Sequence, residues 1–424
     1  MPDGSRGLRL AALTAGLSGL YLAQGVVTGA TETMVGLLAR DGVQLAAQTG
    51  LLAWAALPWV LKLGWGLAWD FFAPPRSSRR DLILFGVQLA VAACVYGLGR
   101  PDGSGGLPLV FFALNTFASM QDVGTDAYAV DAIPKQRRAL VNAFMAAARA
   151  VGATVIGASV FLGWFAAHGS SGAANRAALV CAALAFCVVG LRVWPKSDAA
   201  GPESGEAPAA NSSSAEVPPG SRWEAMASLV TRRESRFALL LTALIFAGDG
   251  LTSAVSFDFL LKAAHWTLED LVGRLRPVGA ISGLVGFALA AALVDRLGHL
   301  RGLASGALLL SFGWGTMALA SGLWTSPSTV LTLAVVEGLG QSLVVVSAYA
   351  FLMGVAVPRV RATHFVVYMT VLNLPRVLGP LAAPSLFEHG GYAGVWFAAA
   401  SLEIALVVLA GWGWRRGYGR TAPK

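Results

Sequence analysis

Twelve apolar stretches dominate the sequence, and each is long enough to cross a lipid bilayer as a helix of about 20 residues. They cover residues 10–36, 44–69, 81–99, 107–132, 139–166, 176–194, 237–261, 270–294, 302–323, 328–356, 363–387 and 392–414. Only 13% of the residues are charged, whereas an average soluble protein has about 25%. The sequence therefore predicts an all-α, polytopic membrane protein with twelve transmembrane helices.

The lysines and arginines concentrate in alternate loops. One set of loops carries Arg76, Arg79, Arg80, Lys135, Arg137, Arg138, Arg192, Lys196, Arg232, Arg233, Arg236, Arg296, Arg301, Arg359, Arg361, Arg415 and Arg416. The other set carries few basic residues. By the positive-inside rule we expect both termini in the cytoplasm and the chain in the inner (plasma) membrane. The net charge of +8 then reflects membrane topology, and we expect no nucleic-acid partner.

A polar segment divides the chain into two similar halves. The stretch KSDAAGPESGEAPAANSSSAEVPPGS is rich in Ala, Pro, Ser and Gly, as flexible linkers are. We expect an N-terminal six-helix bundle at 1–194, a cytoplasmic linker at 195–236 and a C-terminal six-helix bundle at 237–424. The halves also repeat three features at offsets of 225 to 227 residues: Gln24-Gly25 with Asp249-Gly250, Asp70 with Asp295, and Arg149-x-x-Gly152 with Arg376-x-x-Gly379. Two parallel six-span repeats are typical of transporters.

Two acids in the stretch QDVGTDAY lie inside the fourth apolar run. Asp122 and Asp126 are four residues apart and share one helix face. Counting from the cytoplasmic edge, they lie about 15 and 9 Å deep, Lys62 about 12 Å and Arg149 about 15 Å. A charge that faces lipid costs at least about 2.5 kcal/mol, so we expect these groups to form one compensating cluster at a water-accessible interior.

These charged positions supply the candidate site residues. We assign proton coupling to Asp122 and Asp126, because a cationic neighbour that moves would switch their proton affinity. Candidate cargo-binding residues are Arg149, Lys62, Gln121, Asn142, Glu32, Asp249, Asp258, Glu337 and Arg376, and candidate gating residues are Asp70, Asp295 and Arg296. Alternatives remain for several of them. Lys62 could be an internal strut, the two arginines could form structural salt bridges, and Glu403 could simply pack against another helix.

Enzymatic function is not indicated. The sequence contains no GxxxxGK[ST] phosphate loop, no legible Ser–His–Asp order and no cluster of metal ligands. The three cysteines fall within apolar runs without a CxxC spacing, so we expect small core residues. We expect no cofactor and no metal. The expected partners are the bilayer, a small-molecule cargo and protons, and we expect a monomer.

Two segments resemble the AmpG-like branch of the major facilitator superfamily: ALPWVLKLGWGLAWD (56–70) and QDVGTDAYAVDAIPKQRRALVNAFMAAARAVG (121–152). A third, ALVDRLGHLRG (292–302), resembles the loop motif Asp-Arg-x-Gly of the superfamily as a whole. The resemblance implies the major-facilitator fold and proton-coupled transport by alternating access, with Lys62, Asp122, Asp126 and Arg149 at the branch's motif positions. The branch includes muropeptide permeases, siderophore importers of the RhtX and FptX type and acetyl-CoA transporters, which implies an anionic or amphiphilic cargo.

Two departures from that pattern favour the shorter, siderophore-importer-like members. The proline expected before the loop acid is absent, because Leu67-Ala68-Trp69-Asp70 stands there, and the chain ends after twelve spans. An exporter of drugs or metabolites remains the alternative, and a membrane receptor that does not transport is a third hypothesis.

Overall fold

The structure, a computed structural model, describes residues 3–65, 79–100, 106–133, 138–192, 227–355 and 361–418. Within these ranges the regular secondary structure is entirely helical, which confirms the predicted all-α class. A helix satisfies its backbone N–H and C=O groups internally, as the interior of a bilayer requires.

The helices follow the twelve predicted apolar runs. We number the spans 1 to 12 in the order of these runs, so that span 1 corresponds to 10–36, span 7 to 237–261 and span 12 to 392–414. The first half contains Asp3–Arg40, Leu45–Val60, Arg79–Gly97, Gly106–Ala132, Arg138–Val151, the π-helix Gly152–Val160, Phe161–Leu184 and Cys187–Arg192. The second half contains Arg233–Ile245, Ala247–Lys262, Leu268–Asp270, the π-helix Leu271–Leu275, Arg276–Leu297, His299–Leu319, the 3₁₀ turn Ser321–Leu323, Pro327–Val355, Arg361–Asn373 and Pro375–Arg415.

Two helical runs are too long to be single spans, and a glycine divides each of them. The runs Phe144–Leu191 and Val366–Arg415 have 48 and 50 residues, whereas a bilayer core takes about 20. Gly169 and Gly391 interrupt them with φ angles of 69° and 58°, in the left-handed region that favours glycine. These glycines mark the turns between spans 5 and 6 and between spans 11 and 12.

The spans can now be counted within the described ranges. Eight helical runs there are long and apolar enough to cross a membrane, and the two glycine breaks turn these eight into ten. The other two spans are Leu45–Val60, after which residues 62–65 are again helical up to the edge of the described range, and Gly106–Ala132, which carries the two aspartates. The protein is therefore a multi-pass membrane protein with its twelve spans at the predicted positions.

Paired glycines hold span 1 against span 5 and span 7 against span 11. Gly25 and Gly152 pack together in the first half, and Gly250 and Gly379 in the second. A methyl group at any of these four positions would overlap a backbone carbonyl of the facing helix. The same glycines belong to the features that recur in the sequence, so the internal repeat encodes one helix crossing built twice.

The two halves meet along at least four pairs of spans. Span 1 contacts span 7, span 2 contacts spans 7 and 11, and span 5 contacts span 8. Leu45 packs onto the hydrophobic core of the second half, and Leu268 onto that of the first. In the repeat, span 2 corresponds to span 8 and span 5 corresponds to span 11. The contact of spans 2 and 11 is therefore equivalent to the contact of spans 8 and 5, as parallel repeats require.

The boundary between the predicted linker and the second bundle differs from the sequence expectation. The helix of span 7 begins at Arg233, four residues before the expected start, and residues 227–231 are already helical. Glu234 lies in the first turn, where a negative charge favours the helix N-terminus. This polar turn precedes the apolar run, so hydropathy alone does not detect it. Residues 193–226 of the predicted linker lie outside the described ranges.

Candidate functional site

A buried charge cluster lies where spans 1, 2 and 4 meet. The ammonium nitrogen of Lys62 contacts Oδ2 of Asp122 and lies 3.1 Å from Oδ2 of Asp126. The hydroxyl of Tyr21 donates a hydrogen bond to Oδ1 of Asp126. Lys62 and Asp122 are buried, whereas the Asp126 side chain remains 30% exposed. We call these four residues the Lys62 cluster.

Local helix geometry explains how the cluster assembles. The two aspartates lie one turn apart on span 4 and therefore point to the same side. Lys62 follows the helix Leu45–Val60, which contains Pro58 in its last turn and ends directly before residue 61. The amide of Gln121 donates to the backbone carbonyl of Leu20 at 3.0 Å and ties span 4 to span 1. The helices are thus fixed against one another on both sides of the ion pairs.

The Lys62 cluster contains one more acid than base. With both aspartates ionised it would carry a net negative charge in a largely buried place, which is energetically costly. One proton shared within the cluster would neutralise it. Asp126 is the more exposed of the two acids and also bonds to Tyr21, so it is the position at which a proton can exchange with solvent.

A cavity of about 520 Å³ lies between the two halves. Spans 1, 2, 4 and 5 of the first half contribute to its wall, together with spans 7, 8, 10, 11 and 12 of the second half. Aromatic surfaces come from Trp59, Phe257, Phe259 and Trp396. This volume falls within the range of about 300–1,000 Å³ that is typical of small-molecule sites.

Charged side chains of both signs face the cavity. The charged lining residues are Glu32, Asp249, Arg276, Glu337 and Arg376. Arg276 and Arg376 both interact electrostatically with Glu32, and Arg376 also interacts with Asp249. Arg376 is therefore shared between two acids, whereas Arg276 acts on Glu32.

Neutral donors complete the environment of two of these acids. Asp249 accepts a hydrogen bond from the amide of Gln341 at 3.1 Å. Glu337 accepts one from the indole nitrogen of Trp314 at 2.7 Å. Span 10 therefore brings an amide and an acid to the cavity. Gln341 contacts span 7, and Glu337 contacts span 9.

An arginine stacks on an aromatic ring in each half. The guanidinium carbon of Arg149 lies 5.3 Å from the ring centre of Trp59, and that of Arg376 lies 4.9 Å from the ring centre of Phe246. A guanidinium that stacks by its face presents its N–H donors around its edge, where they can meet a carboxylate or phosphate. These two residues are the repeat-related arginines that the sequence identified.

Asp258 joins the two halves at the end of the bundle that carries residues 41–44. It accepts hydrogen bonds from the amide of Gln48 at 3.3 Å and from the hydroxyl of Tyr392 at 2.5 Å. Lys262, half exposed, lies 2.6 Å from the same carboxylate. Gln48 belongs to the first half and the other three to the second, so this Asp258 latch closes the halves together at that end.

The structure separates the predicted cargo-binding residues into two groups. Glu32, Asp249, Glu337 and Arg376 line the cavity. The others that can be placed lie off its wall: Lys62 and Gln121 in or beside the Lys62 cluster, Arg149 behind Trp59, and Asp258 in its latch. The sequence gives their depth but not their rotation about the helix axis, which decides whether a side chain reaches the cavity.

The remaining predictions fall partly outside the described residues. Asp70 lies in an undescribed range, and the side chains of Asn142 and Asp295 are not described, although their helices are. Arg296 lies in the last turn of span 8, where its side chain is exposed. The gating assignment of these residues therefore stays a prediction.

Sequence reasoning missed several residues of the cavity and the cluster. Arg276 was not among the candidate site residues, yet it lines the cavity within span 8. Trp59 and Gln341 also line the wall, and Tyr21 belongs to the Lys62 cluster. Only Arg276 gave a usable signal, because its predicted span already included that charge.

The described residues contain no group of three or more His, Cys, Asp or Glu side chains arranged to hold a metal ion. No protein-family model matches the chain. Among solved structures, the chain is similar to a crystal structure of a mutant of the nucleoside transporter NupG. The TM-score is 0.66 at 15% sequence identity, over 94% of this chain and 99% of that chain.

Similarity at this identity establishes the fold. The chain has two six-helix halves that are related by an internal repeat and enclose a cavity. This arrangement places it in the class of multi-pass, all-helical membrane proteins. Within that class, the chain has the fold of the major facilitator superfamily.

Proposed function

We propose that the protein is a proton-coupled secondary transporter that carries a small molecule through the cavity between its halves. The observation that carries this proposal is the cavity itself, enclosed by repeated halves and closed at one end by the Asp258 latch. In this fold, rocking of one half against the other would open the cavity to each side of the membrane in turn. Breaking the latch is the step that opens the end with residues 41–44.

Proton coupling is assigned to the Lys62 cluster. One of the two acids around Lys62 can bind or release a proton while the ammonium group of Lys62 compensates the charge of the other acid. A rearrangement that moves Lys62 away from either acid would raise the cost of leaving that acid ionised, so proton binding and helix movement are linked. Asp126 is the acid that takes and releases the proton.

The cargo is proposed to be anionic or amphiphilic. Arg276 and Arg376 present guanidinium groups to a cavity whose other walls are largely aromatic and apolar. Each arginine is shared with Glu32 or Asp249, so an anionic group on the cargo competes with these acids. Muropeptides, siderophores and acyl-CoA compounds, the cargo classes of the AmpG-like branch, combine such groups with larger neutral portions.

A neutral, hydroxyl-rich cargo is the second candidate, and the wall gives a reason for it. Three acids line the cavity against two arginines, and Gln341 and Asn115 add amides beside aromatic surfaces. Hydroxyl and base edges of nucleosides would suit such a wall, and the structurally similar NupG is named as a nucleoside transporter. An exporter built on the same cavity would bind the same cargo and differ only in direction.

The proposed setting is the inner membrane, with a single chain as the transporting unit and both termini in the cytoplasm. One end of the bundle carries the start of spans 7 and 9 and the end of spans 8 and 12. Exposed arginines lie at this end, at positions 232, 233, 236, 296, 301, 415 and 416. This is the distribution that the positive-inside rule assigns to the cytoplasmic face.

A ligand screen on the purified protein tests the cargo class. Because a compound that binds the folded state stabilises it, the melting temperature should rise with a muropeptide, a siderophore or an acyl-CoA compound, and Arg376→Ala should remove the rise. Arg376→Lys should retain part of it, since a lysine keeps the charge but not the planar fork. Stabilisation by nucleosides instead, unaffected by Arg376→Ala, would select the second candidate.

A further inference from the structure

Glu403 lies in the middle of span 12 and has no function in the site described so far. Its side chain is fully buried, with 0% of its surface exposed. Both of its carboxyl oxygens lack a hydrogen-bond partner among the described residues. A buried polar group without a hydrogen-bond partner is rare in proteins, because it loses its hydration without compensation.

The surroundings of Glu403 provide no cation among the described residues. Its carboxyl group faces Gly248 of span 7, and a methyl group built on that glycine would lie 2.9 Å from Oε1 of Glu403 and overlap Trp314. Asp249, the next residue along span 7, is the charged group that acts on Glu403, and it has the same sign. Arg376, a base of the cavity wall, acts on Asp249 instead.

Trp314 connects this buried acid to the cavity. One edge of its indole borders Gly248 beside Glu403, and its Nε1 donates to Glu337 at 2.7 Å. Asp249 acts on both Glu337 and Glu403 and lines the cavity. Trp314 therefore lies beside Glu337 of span 10 and close to Glu403 of span 12. Of these two acids and Asp249, only Asp249 has a cationic neighbour among the described residues.

Ionised Glu403 would be a carboxylate without hydrogen bond or counter-ion beside a second acid. The free energy of placing such an ion in an apolar interior far exceeds that of placing the neutral acid there. The neutral acid also has a backbone acceptor close by, because the carbonyl oxygen of Ala399 borders the same spot next to Gly248.

We propose that Glu403 is a proton-binding site of the second half. Glu403 is protonated in this conformation and exchanges its proton with the cavity through Asp249. It is separate from the Lys62 cluster, which belongs to the first half. Its part in transport rests on the proposed proton-coupled function, whereas its protonation does not. No covalent bond changes beyond the O–H bonds: a proton moves from one carboxyl oxygen to another, and the acceptor becomes neutral as the donor becomes charged.

Infrared spectroscopy of the full-length protein in lipid at neutral pH tests this directly, with the proton as the only ligand. A protonated carboxylic acid has a carbonyl band distinct from that of a carboxylate, and the band shifts in D₂O when its proton exchanges. We expect the wild type to show a component of this band that is lost in Glu403→Gln and retained in Glu388→Gln, which neutralises an exposed acid near the end of span 11.

Identical carbonyl spectra for the wild type and Glu403→Gln would overturn the proposal, because Glu403 would then be ionised. A band that is present but unchanged after prolonged exposure to D₂O would overturn the exchange with the cavity. If Glu403→Gln does not fold, Glu403→Asp keeps the acid and moves it by one methylene, and an unshifted band would likewise overturn the assignment. None of these readings requires transport, so they remain decisive even if the proposed function fails.

Discussion

The two halves share a scaffold but hold two pairs of acids, Asp122 and Asp126 in the first half and Glu337 and Glu403 in the second, in opposite ways. In both, a pair of glycines presses the first span of the half against its fifth, and a glycine with positive φ turns the chain between its fifth and sixth spans. In the first half, Asp122 and Asp126 are held by the ammonium group of Lys62. In the second half, Glu337 and Glu403 have only neutral surroundings and an acidic neighbour among the described residues.

This contrast shows that the repeat preserves the backbone packing and the stacked arginines, Arg149 and Arg376, but not the way in which buried acids are neutralised. Glycine-to-carbonyl contacts leave no room for variation, whereas a side chain that reaches an internal cavity can change without moving a helix. Ion pairing in the first half keeps charge inside the membrane region, and its disruption should be costly. The second half can keep Glu337 and Glu403 neutral, so replacing these two acids by amides should have little effect on stability.

The largest effect is expected from Lys62→Ala, which leaves two buried acids without their cation. Removing one partner of a buried ion pair typically lowers the free energy of unfolding by about 3–5 kcal/mol. Thermal and denaturant unfolding in detergent measure this loss. Adding Asp122→Asn to Lys62→Ala should restore most of it, and a Lys62→Ala protein as stable as the wild type would end the contrast between the halves.

Matched glycine substitutions test whether the scaffolds are equivalent. Gly25→Ala and Gly250→Ala each push a methyl group into a facing backbone carbonyl, and overpacking of this kind costs about 1–3 kcal/mol. We expect similar losses in the two halves by the same unfolding assay. Gly163→Ala and Gly411→Ala, which meet nothing within 4 Å, serve as controls and should leave stability unchanged.

A smaller effect is expected at the latch between the halves. Gln48→Ala removes the hydrogen bond that reaches Asp258 across the interface, worth about 1 kcal/mol or about a fivefold change in population. Distances between spin labels on Asp41 and His265, both exposed at that end, should shift towards longer values. Unchanged distance distributions would mean that other contacts keep this end closed.

The smallest change is expected for Glu337→Gln. A glutamine oxygen can still accept the hydrogen bond from Trp314, and no charge is lost if the acid is already neutral. The free energy of unfolding should change by less than about 1 kcal/mol. A loss as large as that of Lys62→Ala would show that Glu337 is ionised and paired, and the two halves would then resemble one another.

Much of the fold can be predicted from this sequence because it depends on length and spacing. Apolar runs of bilayer length gave the twelve spans, and glycines at a constant offset gave the repeated helix crossing. The pairing of Lys62 with two acids also follows from depth, because unpaired charges at one level of a membrane are too costly. The resemblance to the AmpG-like branch is a finer prediction that remains part of the proposed function.

The composition of the cavity wall could not be predicted in the same way. Helices that are apolar nearly all round give no signal for which face points inward, so Arg276 was missed and Asp258 was expected at the cavity. For Glu403 the sequence left packing against another helix as one alternative, and its lack of a partner among the described residues is visible only in three dimensions. Hydropathy also missed the polar first turn of span 7.

The proposed function requires that proton movement through the Lys62 cluster is coupled to cargo movement through the cavity. Proteoliposomes with a pH-sensitive dye inside, to which the compounds that stabilise the protein are added outside, measure this coupling. We expect an internal pH change with the wild type and none with Asp126→Asn, although the variant inserts into the vesicles and still binds the cargo. An equal pH change with both proteins, or transport of cargo by the wild type with no pH change, would contradict it.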